Sequence, residues 1–207
     1  MKKSPFLSVE ALVTLIIVSC EFTEIKRYAP TAITSRERKD ETMKRIAIIG
    51  CPGSGKSMFA RKLHEKTGLP LVHLDNIWWK TDRTHITREA FDERLAAILR
   101  EDAWIIDGNY SRTIETRIRA CDTVIFLDCD EQTCMDGVAA RVGQARPDMP
   151  WTEQTLDPEL VTLVKGFQTG QRPEITALLD RYADREIHIF RTRAEAYAWM
   201  EQQERII

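Results

Sequence analysis

No apolar run in this chain is long enough to cross a bilayer. The candidate at residues 11–18 has eight residues, and a spanning helix needs about 20. A basic surplus is also missing: 30 Lys and Arg face 32 Asp and Glu, a net charge of −2. Without residues 1–42, which carry seven basic and six acidic residues, 23 basic residues face 26 acidic ones. The averaging therefore hides no basic domain of the kind that drives sequence-independent nucleic-acid binding. A local basic patch could still touch DNA, but composition gives it no support. The five cysteines, at 20, 51, 121, 129 and 134, form no C-x-x-C pair, and no His follows them at zinc-ligand spacing. They read as reduced thiols of a cytoplasmic protein, most of them small buried apolar side chains. There is no internal repeat and no low-complexity segment.

What is present suits one α/β domain with an extension. Hydrophobic residues make up 43% of the 207, enough for a core. Residues 1–42 form the N-terminal extension: Lys2-Lys3, the apolar run, then a charged linker before Met43. Three readings fit it. A start assigned too far upstream, with the true start at Met43, is preferred; a disordered segment or loose extra helix is the second. The third is an export signal or lipid anchor, since Ile17-Val18-Ser19-Cys20 resembles a lipoprotein processing box. Glu10 beside the run counts against that third reading and against any membrane attachment.

From Met43 onward, short continuous apolar runs alternate with amphipathic stretches. Strands are expected at 45–49, 71–74, 104–106, 124–127 and 186–190, each buried on both faces. Between them, Phe59, Leu63 and Lys66 recur at helical spacing until Gly68 and Pro70 stop the helix. Thr87 caps a helix with Phe91, Leu95, Ile98 and Leu99 on one face. Asp157-Pro158-Glu159 and the capping box Thr192-Arg193-Ala194-Glu195 open two more. Strand–helix alternation implies a parallel sheet with right-handed crossovers.

The strongest signal is Gly50-Cys51-Pro52-Gly53-Ser54-Gly55-Lys56-Ser57, a full match to G-x-x-x-x-G-K-[ST] between a strand and a helix. Its glycines let backbone N–H groups approach phosphate oxygens, and the following helix adds its N-terminal partial charge. Lys56 is expected on the β- and γ-phosphates of ATP, and the Ser57 hydroxyl on Mg²⁺. Cys51 lies on the loop itself, at a position that tolerates variation and is open to oxidation.

Ligands of such sheets bind at the carboxyl ends of the strands, where three acids fall. Asp107 is the first candidate for the metal, through a bound water. Asp75 is the candidate base that orients an acceptor hydroxyl and takes its proton. Asp128 closes a loose Walker B pattern. Each acid alone would equally serve as a helix cap or turn residue. Phosphoryl transfer also calls for cations. Arg141 and Arg146, in a Gly- and Pro-bearing segment, suit a short lid, while Arg112 and Arg117 could hold an acceptor anion. Trp79, after Trp78, could stack on a planar acceptor. The four histidines are scattered, and no role is read for them.

The strings Met43-Lys44-Arg45-Ile46-Ala47-Ile48-Ile49-Gly50, the loop, Leu74-Asp75 and Trp104-Ile105-Ile106-Asp107-Gly108-Asn109-Tyr110 resemble bacterial proteins named DNA topology modulation protein. So do Thr123-Val124-Ile125-Phe126-Leu127-Asp128 and Arg146-Pro147-Asp148-Met149. This FlaR-related group consists of adenylate-kinase-like P-loop NTPases, and the resemblance covers about 43–200. It implies a five-stranded parallel sheet of the nucleoside and adenylate kinase type, flanked by helices, with a short lid. It makes Asp107 the acid of the kinases' Asp-Gly motif and puts Arg191, after the last strand, on an adenine-facing loop. The kinases continue Phe-Pro-Arg where this chain has Asn109-Tyr110-Ser111-Arg112, a departure at the arginine that holds an acceptor phosphate. The expected function is a small-molecule kinase moving the γ-phosphate of ATP to a nucleotide-like or hydroxyl acceptor. The alternative is a nucleotide-binding regulator linked to DNA topology without small-molecule turnover.

Overall fold

The computed structural model describes residues 43–203. The extension at 1–42, with its apolar run and Cys20, lies outside them. Five parallel strands form one sheet in the order β2-β3-β1-β4-β5. They are β1 (Arg45–Gly50), β2 (Leu71–His73), β3 (Trp104–Asp107), β4 (Thr123–Leu127) and β5 (Glu186–Phe190). Eight helices surround them among the described residues: α1 (Lys56–Thr67), α2 (Leu74–Trp78), α3 (Arg88–Ile98), α4 (Ser111–Ala120), α5 (Glu131–Ala139), α6 (Pro158–Phe167), α7 (Gln171–Arg181) and α8 (Arg193–Gln202). No helix among these residues is long and apolar enough to cross a membrane.

The apolar runs explain which strands are central. Ile46 to Ile49, Trp104 to Ile106 and Val124 to Leu127 are all buried to 1% exposure or less. They belong to β3, β1 and β4, which have neighbours on both sides. The expectation of full burial fails at both edges of the sheet: Leu71 to His73 of β2 are only half-buried, and β5 has Glu186 exposed and Ile189 46% exposed, because no strand among the described residues pairs beyond either. The strand expected at 71–74 stops at His73, since Leu74 opens the short helix α2, which the sequence did not signal.

Local signals set the helix ends. Gly68, at φ 72°, closes α1 by donating its N–H to the His64 carbonyl. The buried face of α1 is Phe59, Ala60, Leu63 and Thr67; the expected Lys66 lies outside it, its amine donating to the Met200 carbonyl at 2.5 Å. Thr87 accepts from the Ala90 N–H, Asp157 from the Glu159 N–H, and both halves of the Thr192–Glu195 capping box form.

Register brings every carboxyl end to one edge. Ile48 pairs with Asp107, His73 with Asp107, and Gly50 with Leu127. Helix α5 presses on the loop after β1 closely enough to demand glycine on both sides. Gly53 sits at φ 83°, and a Cβ there would stand 2.0 Å from the Cys134 carbonyl oxygen. A Cβ on Gly137 would stand 2.0 Å from the Gly53 carbonyl oxygen. We therefore expect Gly137→Ala to destabilise the fold by about 1–3 kcal/mol in urea titration, despite alanine's better helix propensity. Gly166→Ala, where a Cβ meets nothing within 4 Å, should be neutral or gain up to about 1 kcal/mol.

Candidate active site

The loop leaves β1 at Gly50 and enters α1 at Lys56, with Gly55 in the left-handed region at φ 97°. Its outer carbonyls are held by one side chain that the sequence reading did not single out. Arg193, at the start of α8, donates to the carbonyls of Gly53 at 2.7 Å and Ser54 at 3.1 Å, and to Thr133 of α5 at 3.1 Å. In a trans peptide the C=O and the next N–H point opposite ways. Anchoring the Ser54 carbonyl therefore aims the Gly55 N–H away from Arg193, where a phosphate can receive it. Lys56 is 8% exposed. Cys51 is buried; the neighbouring Cys134 thiol, with Lys56 and Arg141, holds its pKa below the ordinary thiol value against burial.

Asp107 ends β3 at 3% exposure. Its Oδ2 meets His73 Nδ1 at 2.8 Å, a contact fixed by the parallel register of β2 and β3. Burial pushes the Asp107 pKa up, but the His73 hydrogen bond, Lys56 and the Ser57 hydroxyl outweigh it, so the acid stays below its ordinary value and ionised. Its Oδ1 is buried without a hydrogen-bond partner. An ionised carboxylate with an open oxygen beside a serine hydroxyl is a hard donor pair that fits Mg²⁺, which takes few protein ligands and keeps its waters. No group of three or more His, Cys, Asp or Glu side chains among the described residues could hold a metal by itself.

Asp75 stands in the first turn of α2 and accepts the Tyr110 hydroxyl at 2.8 Å. Burial raises its pKa above the ordinary aspartate value; Lys56 and the Tyr110 hydrogen bond oppose this only in part. Tyr110 and His73 were not read as site residues. Their signal lay in register and in the turn after β3, which one sequence does not display.

Two cavities open on either side of the loop. One, about 380 Å³, is lined by Gly55, Ser57, Arg61, Arg146 and Tyr197 among others. The second, about 360 Å³, is lined by Lys56, Asp75, Trp79, Tyr110 and Trp151 among others. Arg141 lies in both walls, and burial lowers its pKa.

Five expected residues stand elsewhere or in other roles. Arg117 does not face an acceptor: it is fully buried in α4, donating to the carbonyls of Gly108 at 2.7 Å, Tyr110 at 3.4 Å and Thr113 at 3.3 Å. Burial lowers its pKa to about 10, and it braces the turn carrying Asp107 and Tyr110. Arg112 lies outside the second cavity, in a two-pronged ion pair with Asp92 at 2.7 Å. Arg191 pairs with Asp128 rather than facing a nucleotide site. Asp128 in turn is bound by Arg172 at 2.8 Å, so guanidinium groups and not a metal occupy this acid. Arg146 lies in the first cavity's wall but turns to Asp148 at 2.9 Å and Glu153 at 3.5 Å. Asp148, 2% exposed, also takes Arg61 at 3.1 Å, and Asn76 donates to the Pro147 carbonyl at 2.8 Å. The segment between α5 and α6 is thereby fastened to both α1 and α2.

Residues 46–148 match a family profile described as "AAA domain". Two adenylate kinases of Thermotoga neapolitana are 23% identical over 100 residues, 48% of this chain and 42% of theirs. The chain thus spans less than half the length of these curated relatives. Among solved structures, a shikimate kinase from Bacteroides thetaiotaomicron superposes with TM-score 0.53 at 15% identity, covering 78% of this chain and 97% of that one. A deoxyadenosine kinase from M. mycoides with bound dATP aligns at TM-score 0.46 and 14% identity, over 75% and 95% of the two chains. The likeness to the shikimate kinase, at 15% identity, shows a shared fold: a five-stranded parallel sheet flanked by helices.

Arg193→Ala should leave the fold intact and weaken ATP·Mg²⁺ binding about 30-fold, since one hydrogen bond nets about 1 kcal/mol and two loop carbonyls lose theirs. Titration calorimetry beside thermal melting checks this.

Proposed function

We propose that this protein is a small-molecule kinase that moves the γ-phosphate of ATP to a hydroxyl acceptor. The observation that carries the reading is the pair of cavities meeting at the phosphate loop, with Arg141 in both walls. A protein that only binds a nucleotide needs one cavity. A transferase needs a second, holding a base beside the loop, and here Asp75 and Lys56 line it.

The roles follow from chemistry. ATP lies along the loop with its base toward the Arg61 and Tyr197 side. The N–H groups of Gly53, Gly55, Lys56 and Ser57, with the Lys56 amine, take the phosphates; Pro52 has no N–H, and those of Gly50 and Ser54 are engaged with Asn109 and Cys51. Ser57, and Asp107 through water, would hold Mg²⁺, which would offset charge on the phosphates. Arg141 meets the charge that spreads over the moving phosphoryl group. The acceptor oxygen bonds to the γ-phosphorus, the bond to the β–γ bridging oxygen breaks, and ADP leaves. The hydroxyl proton passes to Asp75, which Tyr110 orients. Lys56, Asp75 and Arg141 would touch reacting atoms, Asp107 would act only through its water, and Arg146 positions the lid. Trp79 stands against the acceptor. The relatives' names, adenylate kinase and shikimate kinase, add support for phosphotransfer. Dependence on ATP favours a cytoplasmic setting. No feature of the site favours the regulator linked to DNA topology, for which the second cavity would be idle.

The test is ADP release with ATP·Mg²⁺ over a panel of hydroxyl compounds. Lys56→Ala should abolish acceptor-dependent turnover, and Asp75→Asn should lower it about 10²–10⁴-fold, the contribution of a positioned base. A base works only when deprotonated, so its raised pKa places the acid limb of kcat/KM above the ordinary aspartate range. Activity is lost as pH falls through that limb, and Asp75→Asn removes the limb. ATP binding without turnover on any acceptor would contradict the reading.

A further inference from the structure

The acceptor cavity has a charge layout that a phosphorylated acceptor does not suit. Its two cations, Lys56 and Arg141, stand by the phosphate loop, where the transferred group needs them. The remaining charged lining is acidic: Asp75, then Glu153, Asp157 and Glu159 toward α6. Arg112 and Arg117, the residues placed to supply an anion site, are engaged with Asp92 and with backbone carbonyls. Arg146 neutralises Glu153 in part, at 3.5 Å. Asp157 gives one oxygen to the Glu159 N–H as helix cap, at 2.8 Å. Neither Asp157 nor Glu159 forms an ion pair among the described residues. With the cations facing ATP, a second phosphate in this cavity would face four carboxylates and find no further cation in the lining.

The same wall carries aromatic rings. Trp79 and Trp151 meet edge to face, with centroids 5.1 Å apart, and both line the cavity with Tyr110. Indole faces attract cations more strongly than other aromatic rings do, and carboxylates beside them add to the effect.

We infer that the acceptor is an unphosphorylated hydroxyl compound bearing a positively charged nitrogen: an amino alcohol, an amino sugar or a quaternary ammonium alcohol. The cation rests between Trp79, Trp151 and the acids of α6, and the hydroxyl reaches Asp75. This rests on the kinase reading above and names its substrate class. It departs from the nucleoside monophosphate acceptor of adenylate kinases.

The experiment measures acceptor-dependent ADP release by the full chain in charge-matched sets. These are glucosamine, N-acetylglucosamine and glucose 6-phosphate; choline and 3,3-dimethylbutanol; adenosine and AMP. Calorimetric titration with benzyltrimethylammonium and with benzoate, in the presence of a non-hydrolysable ATP analogue, runs beside it. Glucosamine or choline should be turned over, or benzyltrimethylammonium bound, ahead of every neutral or anionic counterpart. Asp157→Asn with Glu159→Gln keeps the helix cap, because Asn caps as well as Asp. This double variant should raise KM for the cation, or Kd of the probe, about tenfold, with KM for ATP and the melting temperature unchanged. AMP or glucose 6-phosphate turned over fastest, or an unchanged KM and Kd in the double variant, would overturn the acceptor class and leave the kinase standing. No turnover of any acceptor and no binding of either probe, with ATP still bound, would overturn both.

Discussion

The close contact between the phosphate loop and α5 is the constraint on which the other features depend. Two backbones pass at a distance that only Gly53 and Gly137 permit, and Arg193 ties the loop carbonyls to α5 and to the start of α8. A loop built for phosphate must present N–H groups outward, so its carbonyls need partners on the protein side. Arg193 is that partner. The price of this geometry is a helix that cannot carry a side chain at 137 and a loop that cannot carry one at 53.

Around the loop the sheet supplies position and the helices supply chemistry. Parallel pairing puts His73 beside Asp107 and both beside the loop. The turn after β3 is held from below by Arg117, a buried guanidinium that gives its donors to three carbonyls. That turn carries Tyr110 to Asp75. The two acids, both beside Lys56, are thus driven apart in pKa: Asp107 is held down by its hydrogen bonds, and Asp75 is raised by burial. One is suited to a metal and the other to a proton.

Much of this was legible in the sequence. The loop motif, the five apolar runs and the helix caps at Thr87, Asp157 and Thr192 all carry local signals, and local contacts form them. The loop's placement at a strand end and the acids at 75 and 107 followed from the same pattern. What was not legible depends on contacts between distant residues. Arg112 and Arg117 looked alike as basic residues after the Asp107 loop, and the resemblance alone put Arg191 on an adenine-facing loop, yet Asp92, three backbone carbonyls and Asp128 claim them. Arg193 read only as part of a capping box. His73 and Trp151 had no motif at all. Lys66 matched the helical period of α1, but the period cannot distinguish the buried edge of a face from Thr67 one residue on.

The central claim is that the two cavities are the two halves of one transfer site. It is tested most directly by a crystal structure with Mg²⁺ and a non-hydrolysable ATP analogue. The account places the base in the cavity lined by Arg61 and Tyr197, and the γ-phosphate between Lys56 and Arg141 with Asp75 facing it across the second cavity. A nucleotide whose base sits between Trp79 and Trp151, or whose γ-phosphate points away from Asp75, would contradict it.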